Sequence, residues 1–319
     1  MRHRIEKKPV VNRSFAQKIR KPLLIFACVG AFCFLGYKTW IYFTHIPSMD
    51  EFLVMPEEKI DVGIAGLVFA KEFYPDLDIR AYSRKIDELV RKVQARVGNS
   101  ANPEERIRAI NTVLFDQEGY AYEKDPSAVI NTRFAFLNHV LDTRRGTCYT
   151  LPMLYMAVAR RLGYPIHPVE VPGHLFLRYL VSNLKNHNIE VTTQGAFCTD
   201  KSYVENFSVP PKAIRIGGYM RSLSMREYMA ELILTNAMNY NEMMEFDKAI
   251  VYGHKALQMN PLSPHCYSSL DLYYRMQSIV LQGETALHSF EHSKKHHIKS
   301  LELGYLPVQE TDYWKRTRG

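Results

Sequence analysis

The sequence predicts an α+β fold: a cysteine-bearing helix packed on a small antiparallel sheet, a helical region before it, an α-helical segment after it, and one transmembrane helix ahead of the whole. Three observations predict it. Apolar residues recur at helical spacing from Ile60 to Leu162, the period shortens to two between Ile166 and Thr193, and helical spacing returns from Ser224 to near the end. At 46% hydrophobic and 23% charged, the 319-residue chain has a folded protein's composition, with length for one sizeable domain and a smaller one. The expected divisions are a basic tail over 1–21, an anchor over 22–43, a linker over 44–55, a core domain over 56–223 and a helical segment over 224–319.

In residues 1–21, eight lysines and arginines face Glu6 alone, so this tail carries seven of the eight net positive charges. The body is close to neutral. That excludes a broad basic face for a phosphate backbone, and no nucleic-acid partner is expected. Pro22 to Tyr37 has no charged residue. Continued to Phe43, a helix there rises about 33 Å, enough for a hydrocarbon core of roughly 30 Å. Lys38 can snorkel near the far end, and Trp40, Tyr42 and Phe43 suit an interfacial belt. A cleaved signal peptide and a buried core helix are the alternatives, and no A-x-A-like cleavage site stands around residues 36–46. The expectation is a single-pass membrane protein with its basic N-terminus cytoplasmic and its body on the periplasmic or extracellular side.

After the linker, Ile60, Val62, Ile64, Leu67, Val68 and Phe73 set a first helical pattern, and Ile79, Tyr82, Ile86, Leu89, Val90 and Val93 a second that Gly98-Asn99-Ser100 ends. Asn102 caps the next helix with Pro103 in its first position, and Ile107, Ile110, Val113, Leu114 and Phe115 form its apolar face. Ala135 to Leu141 is a further short helical piece. Arg145-Gly146 turns the chain into a helix over Tyr149 to Leu162, with Pro152 tolerated in its first turn and Gly163 as its stop. Strands follow at Ile166–Val171, His174–Val181 and Asn188–Thr193, the first two joined by Pro172-Gly173. Ala230 to Ser263 fits one tetratricopeptide-type repeat of about 34 residues, with Tyr240, Phe246, Ala249, Ala256 and Pro261 at the repeat's spacing. The stretch to His297 fits a degenerate second. One repeat cannot bury its own face, so this segment is expected to pack on the core.

Five cysteines are too few and too scattered for a disulfide framework or a CxxC-type zinc site. Cys28 and Cys33 lie in the apolar segment; Cys148, Cys198 and Cys266 lie in the body. Cys148 stands at the start of a helix after a tight turn, where a helix N-terminus and the nearby Arg144 and Arg145 favour thiolate, and where backbone N–H groups point at a forming oxyanion. The bland alternative is a small buried residue. His174 begins a strand after the Pro-Gly turn, placed to face that helix end, or else to serve as a hydrogen-bonded structural histidine. Glu190 and Asn188, two apart on the next strand, are the candidates to orient the imidazole. His288, His292 and His296 share one helix face, a spacing that can bind metal. Glu291, Lys294 and Lys295 alongside read instead as a solvated face, and no metal or cofactor is expected.

Arg145-Gly146-Thr147-Cys148, then Ala159-Arg160-Arg161-Leu162-Gly163-Tyr164-Pro165, then Pro172-Gly173-His174 resemble the bacterial transglutaminase-like family. The resemblance is to its subgroup with a helical N-terminal part and a tetratricopeptide-type tail, and it extends over residues 56 to 297. Ile60-Asp61-Val62, Tyr74 to Asp78, Asn111 to Tyr120 and Asn138 to Leu141 also carry it. It implies a papain/transglutaminase-like core with Cys148 as nucleophile, His174 as base and Glu190 where an Asp is usual, and Phe176 departs from the family's Trp. Acyl transfer through a thioester would follow, on an amide of a protein or peptide, ending in hydrolysis or transamidation. The rival expectation is an inactive scaffold that binds peptides or a partner protein through the core and the tail, since the subgroup has members without the cysteine.

Overall fold

The computed structural model describes residues 45–125, 132–182, 184 and 188–306, of which Ser48 onward forms one compact unit. The first helix among the described residues is α1 (Met49–Val54), where the expected linker has none, started by a capping box in which Ser48 and Glu51 exchange side-chain-to-backbone bonds. α2 (Val62–Lys71) is capped by Asp61, and α3 (Ile79–Val97) by Asp78 and stopped at Gly98. α4 (Pro103–Asn111) starts at the Asn102 cap and runs on as a wider π-type turn over Thr112–Gln117. α5 (Leu137–Thr143) and α6 (Thr150–Arg161) follow; the two-residue strand β1 (Ala121–Tyr122), ahead of α5, pairs in parallel with β2 (Arg145–Gly146), which lies between the two helices.

Every residue of α6 from Thr150 to Ala159 is buried. The sequence suggested a single apolar stripe, but a helix apolar on nearly all sides belongs at the centre of a core. α2, α3 and α5 pack around it and β3 closes the remaining side. Gly63 and Gly66 let α2 come close: a Cβ at Gly63 would press on Ile86 and Ala157, and one at Gly66 on the Met153 sulfur.

The sheet has the order β3 (Ile166–Val171), β4 (His174–Tyr179), β5 (Asn188–Glu190), β6 (Ala196–Phe197), all antiparallel. Val171 sits opposite His174 across the Pro172-Gly173 turn. α7 (Asp200–Asn206) and α8 (Pro211–Ile216) cover one face, where Val169, Val171 and Phe176 pack on Tyr203, Phe207 and Val209. Two helical hairpins end the described residues: α9 (Met225–Glu242) with α10 (Phe246–Met259), and α11 (Pro264–Val280) with α12 (Gly283–Glu302).

Two expectations are corrected. The molecule is mostly helical with small sheets rather than α+β: the period-two stretch from Ile166 to Thr193 yields strands of six, six and three residues, while helices fill most of the rest. Among the described residues no helix is long and apolar enough to cross a membrane. The most apolar of the early helices, α2, has ten residues, a rise of about 15 Å, and the longer ones carry charged faces. The expected anchor over 22–43 lies outside the described residues, and the single-pass membrane placement built on it is set aside.

Candidate active site

Gly146 ends β2 pressed against α6, and Thr147 then caps that helix. Its hydroxyl accepts from the N–H groups of Tyr149 and Thr150, both at 3.3 Å, its carbonyl accepts from Leu151 at 3.1 Å, and its own N–H donates to Thr150 Oγ1 at 2.9 Å. The helix therefore begins at Thr150, and Cys148 stands just before it. With its neighbours' amides occupied, the N–H of Cys148 itself is the one left without a partner among the described residues. That narrows the expected oxyanion donors from the helix-start amides to this single group.

Cys148 is 7% exposed, with its sulfur 4.0 Å from the Gly173 carbonyl. The next residue is His174, buried at the start of β4 with its ring stacked on Phe207 at 4.7 Å. His174 Nε2 lies 2.8 Å from Glu190 Oε2, and the Cys148 side chain is close enough to the imidazole to favour its protonated form. Glu190 is buried and fully engaged. Its Oε2 also accepts from the Tyr203 hydroxyl at 2.9 Å, and its Oε1 accepts from the N–H and hydroxyl of Thr192 at 2.9 and 2.5 Å. Cys148, His174 and Glu190, far apart in sequence, thus converge.

The electrostatics follow the geometry. Burial alone would push His174 down, but the Glu190 charge and the hydrogen bonds to Cys148 and Glu190 outweigh it and raise His174 to about 10. Burial alone would push Glu190 up, but the His174 charge and the bonds from His174 and Thr192 hold it at about 2. The pair is imidazolium and carboxylate over the neutral range.

Residues 80–208 match the family model of the transglutaminase-like superfamily. The matched range holds Cys148, His174 and Glu190 and supports the family expected from the sequence. Among curated proteins, the chain is 28% identical to a UPF0162 protein of Xylella fastidiosa over 138 residues, 43% of this chain and 48% of that protein. It is 32% identical to a UPF0162 protein of Pseudomonas aeruginosa over 114 residues, 36% of this chain and 41% of that one. It is 28% identical to the F-box only protein 21 of Mus musculus over 156 residues, 41% of this chain and 24% of that one. The chain thus spans about half the length, or less, of these relatives. No solved structure matches it.

Within the matched residues, Asn188 is not at the imidazole. Its Oδ1 accepts from Arg178 and its Nδ2 donates to Asp200, an ion-pair cluster at the other end of β5. Arg144 reaches toward Glu118 at 3.5 Å and Arg145 is exposed, so neither guanidinium is committed to Cys148. Sequence reasoning missed Tyr203, Thr192 and Phe207, which hold Glu190 and His174 from α7 and the loops around it; nothing in their local spacing marks them. It also missed a buried group beside Tyr149. The Glu170 carboxyl on β3 faces that of Glu231 on α9, and His265 Nδ1 on α11 lies 2.9 Å from Glu231 Oε2, its ring 6.1 Å from that of Tyr149. Cys198 is half-buried near Tyr203, and Cys266 is buried in the helical segment; burial raises both thiols.

Proposed function

We propose that the protein is a cysteine-dependent acyl-transfer enzyme of transglutaminase-like type, acting on amide bonds of proteins or peptides. One observation carries this: the buried 2.8 Å contact of His174 with Glu190, with the Cys148 sulfur 4.0 Å from the carbonyl of the adjoining Gly173. A structural histidine needs one partner, whereas this one stands between a thiol and a carboxylate, the relation that nucleophilic catalysis requires. Cys148 attacks the carbonyl, its proton residing on His174. The Cys148 N–H donates to the oxyanion, His174 protonates the leaving amine, and a thioester remains on Cys148. Water then gives hydrolysis, or an amine gives transamidation. Glu190 fixes the imidazole and balances its charge throughout.

The test is acylation of the full chain by p-nitrophenyl acetate, read as nitrophenol release and as an acetyl adduct on Cys148 by mass. Cys148→Ala should abolish the adduct, and His174→Ala should slow its formation about 100-fold or more, within the range that loss of a proton-carrying partner produces. Equal rates in wild type and His174→Ala would sink the proposal.

A second reading, a binding role for the helical segment as tetratricopeptide-type hairpins, is favoured by one feature. A groove of about 360 Å³ runs between α10 and the end of α11, lined by Met244, Phe246, Lys248, Val280 and Leu281. Tyr240, Ala249 and Ala256 are buried as the repeat pattern asks. Its measure is peptide-array binding by wild type and Val280→Glu; binding indifferent to that substitution speaks against it.

A further inference from the structure

On α12, Ser289, Ser293, His296 and Ser300 are buried, which sets the helix's rotation. Ser289 donates to Gln277 and Ser293 to Asp271, so this face is anchored to α11 along its length. That rotation brings His288 and His292, one turn apart, to the rim of the hairpin, the first exposed and the second half-buried. Their Nε2 atoms stand 3.3 Å apart. The His292 ring is stacked on Tyr274 at 4.9 Å, and the Tyr274 hydroxyl is held by His254 Nε2 at 2.9 Å. The nearer ligand is therefore fixed from α10 and α11 before any ion arrives.

From these observations we propose that His288 and His292 form a site for a divalent transition-metal ion of borderline softness, Zn²⁺, Ni²⁺ or Cu²⁺, chelated by the two Nε2 atoms across one helical turn. A tetrahedral ion with Zn–N bonds of about 2.0–2.1 Å requires its two nitrogens about 3.3–3.4 Å apart, the separation seen here. The competing use of the same geometry is an N–H···N bond between two neutral rings, and an ion entering the site displaces that proton. Imidazole selects these ions over Mg²⁺ and Ca²⁺, which take oxygen ligands. Among the described residues no group of three or more His, Cys, Asp or Glu is placed to hold a metal, so the protein supplies two ligands and water the rest. Lys294 is paired with Glu291 at 3.3 Å, while Lys295 repels a cation. The result is an exposed, exchangeable site that clamps one turn of α12, not a structural four-ligand centre.

The test uses the full chain carrying Cys148→Ala, which removes the thiol as a competing ligand. ZnSO₄ is titrated in a non-chelating buffer at pH 7.5 by calorimetry, with melting followed in parallel. The expected result is one ion per chain with Kd on the order of 10 µM and a melting temperature that rises with zinc. His288→Ala and His292→Ala should each weaken binding at least ten-fold, while His297→Ala, whose ring is tied to Asp271, should not. Alanine keeps the helix, so loss of binding is separable from loss of fold by the zinc-free melt. No binding below 1 mM, binding unchanged in both single variants, or Mg²⁺ binding as tightly as Zn²⁺ would each overturn the site.

Discussion

Glu190 keeps its charge in a buried site because four hydrogen bonds converge on its two oxygens, and that charge in turn keeps His174 protonated. The pH consequence has a definite sign. His174 is raised from 6.5 to about 10, so its stabilisation is complete below 6.5 and is lost as pH climbs toward 10. Glu190 is lowered from 4.5 to about 2, so its stabilisation is complete above 4.5 and is lost as pH falls toward 2. The stability difference between wild type and Glu190→Gln should therefore be largest between pH 4.5 and 6.5 and shrink on both sides. Urea melts across pH 3 to 9 measure it, and a difference independent of pH would mean that the pair is not ionised. Tyr203→Phe removes one of the four bonds and leaves the ring on Phe176, so it should cost about 1 kcal/mol and slow alkylation of Cys148 less than Glu190→Gln does. The positions of Cys148 and His174 were legible from a tight turn before a helix and a Pro-Gly turn before a strand. Their supports were not, because Tyr203 reaches Glu190 across the fold and leaves no local mark in the chain.

Among the elements, the second strand starts at His174 as expected but ends at Tyr179, short of Val181, while the strand Ile166–Val171 and the helices at Ile79, Pro103 and Met225 stand where the sequence pattern puts them. β5 does not: it stops at Glu190 instead of running to Thr193, because the Glu190 carboxylate takes the Thr192 N–H and curls the chain into a 3₁₀ turn. A side chain captured for the site thus ends the strand, and pattern alone cannot see that. The turn then closes through Gly195, at φ 78°, whose carbonyl accepts from Asn111 Nδ2 at 3.1 Å; Asn111 Oδ1 accepts from the Tyr155 hydroxyl at 3.0 Å. A Cβ at Gly195 would overlap the Asn111 amide. Gly195→Ala adds that clash to a left-handed backbone and should cost about 2–4 kcal/mol, with loss of Cys148 reactivity as Glu190 shifts. Thermal melts and alkylation rates on one sample check both; an unchanged melt would show that the turn relaxes freely. At the other end of the core, Glu72 accepts from Tyr240, from Tyr252 at 2.6 Å and from Asn236 at 2.7 Å, fastening α2 to α9 and α10. Glu72→Ala strips three donors of one acceptor and should loosen the first hairpin, seen as faster hydrogen exchange in α9 and α10 than in α6.

Across the whole molecule, the C-terminal helices are bound to the site-bearing core by polar as well as apolar contacts. Arg226 donates to the carbonyls of Leu53 and Met55, the N–H of Met225 donates to Glu57, and Ser222 bridges to Val169 on the edge of the sheet. The deepest of these contacts is the Glu170–Glu231–His265 group beside Tyr149. Burial, and then the neighbouring Glu231 charge, push Glu170 well above the usual carboxylate range, so it stays protonated, while His265 holds Glu231 ionised and is itself raised by it. A carboxyl that keeps its proton in the folded state and loses it in the unfolded one makes stability fall as pH rises above about 4.5. His265 adds to that fall above 6.5, and Glu231 opposes it at low pH. Glu170→Gln keeps the shape and a donor toward Glu231 but has no proton to lose. It should match wild type near pH 4 and exceed it by about 1–3 kcal/mol at pH 8, where wild type bears the cost of its buried acid. Melting the full-length pair across that range decides the matter. A gap that widens with pH means that the join between the helical segment and the core that bears Cys148 carries a buried proton, and a gap that is flat or reversed means that Glu170 is ionised there and held by a cation instead.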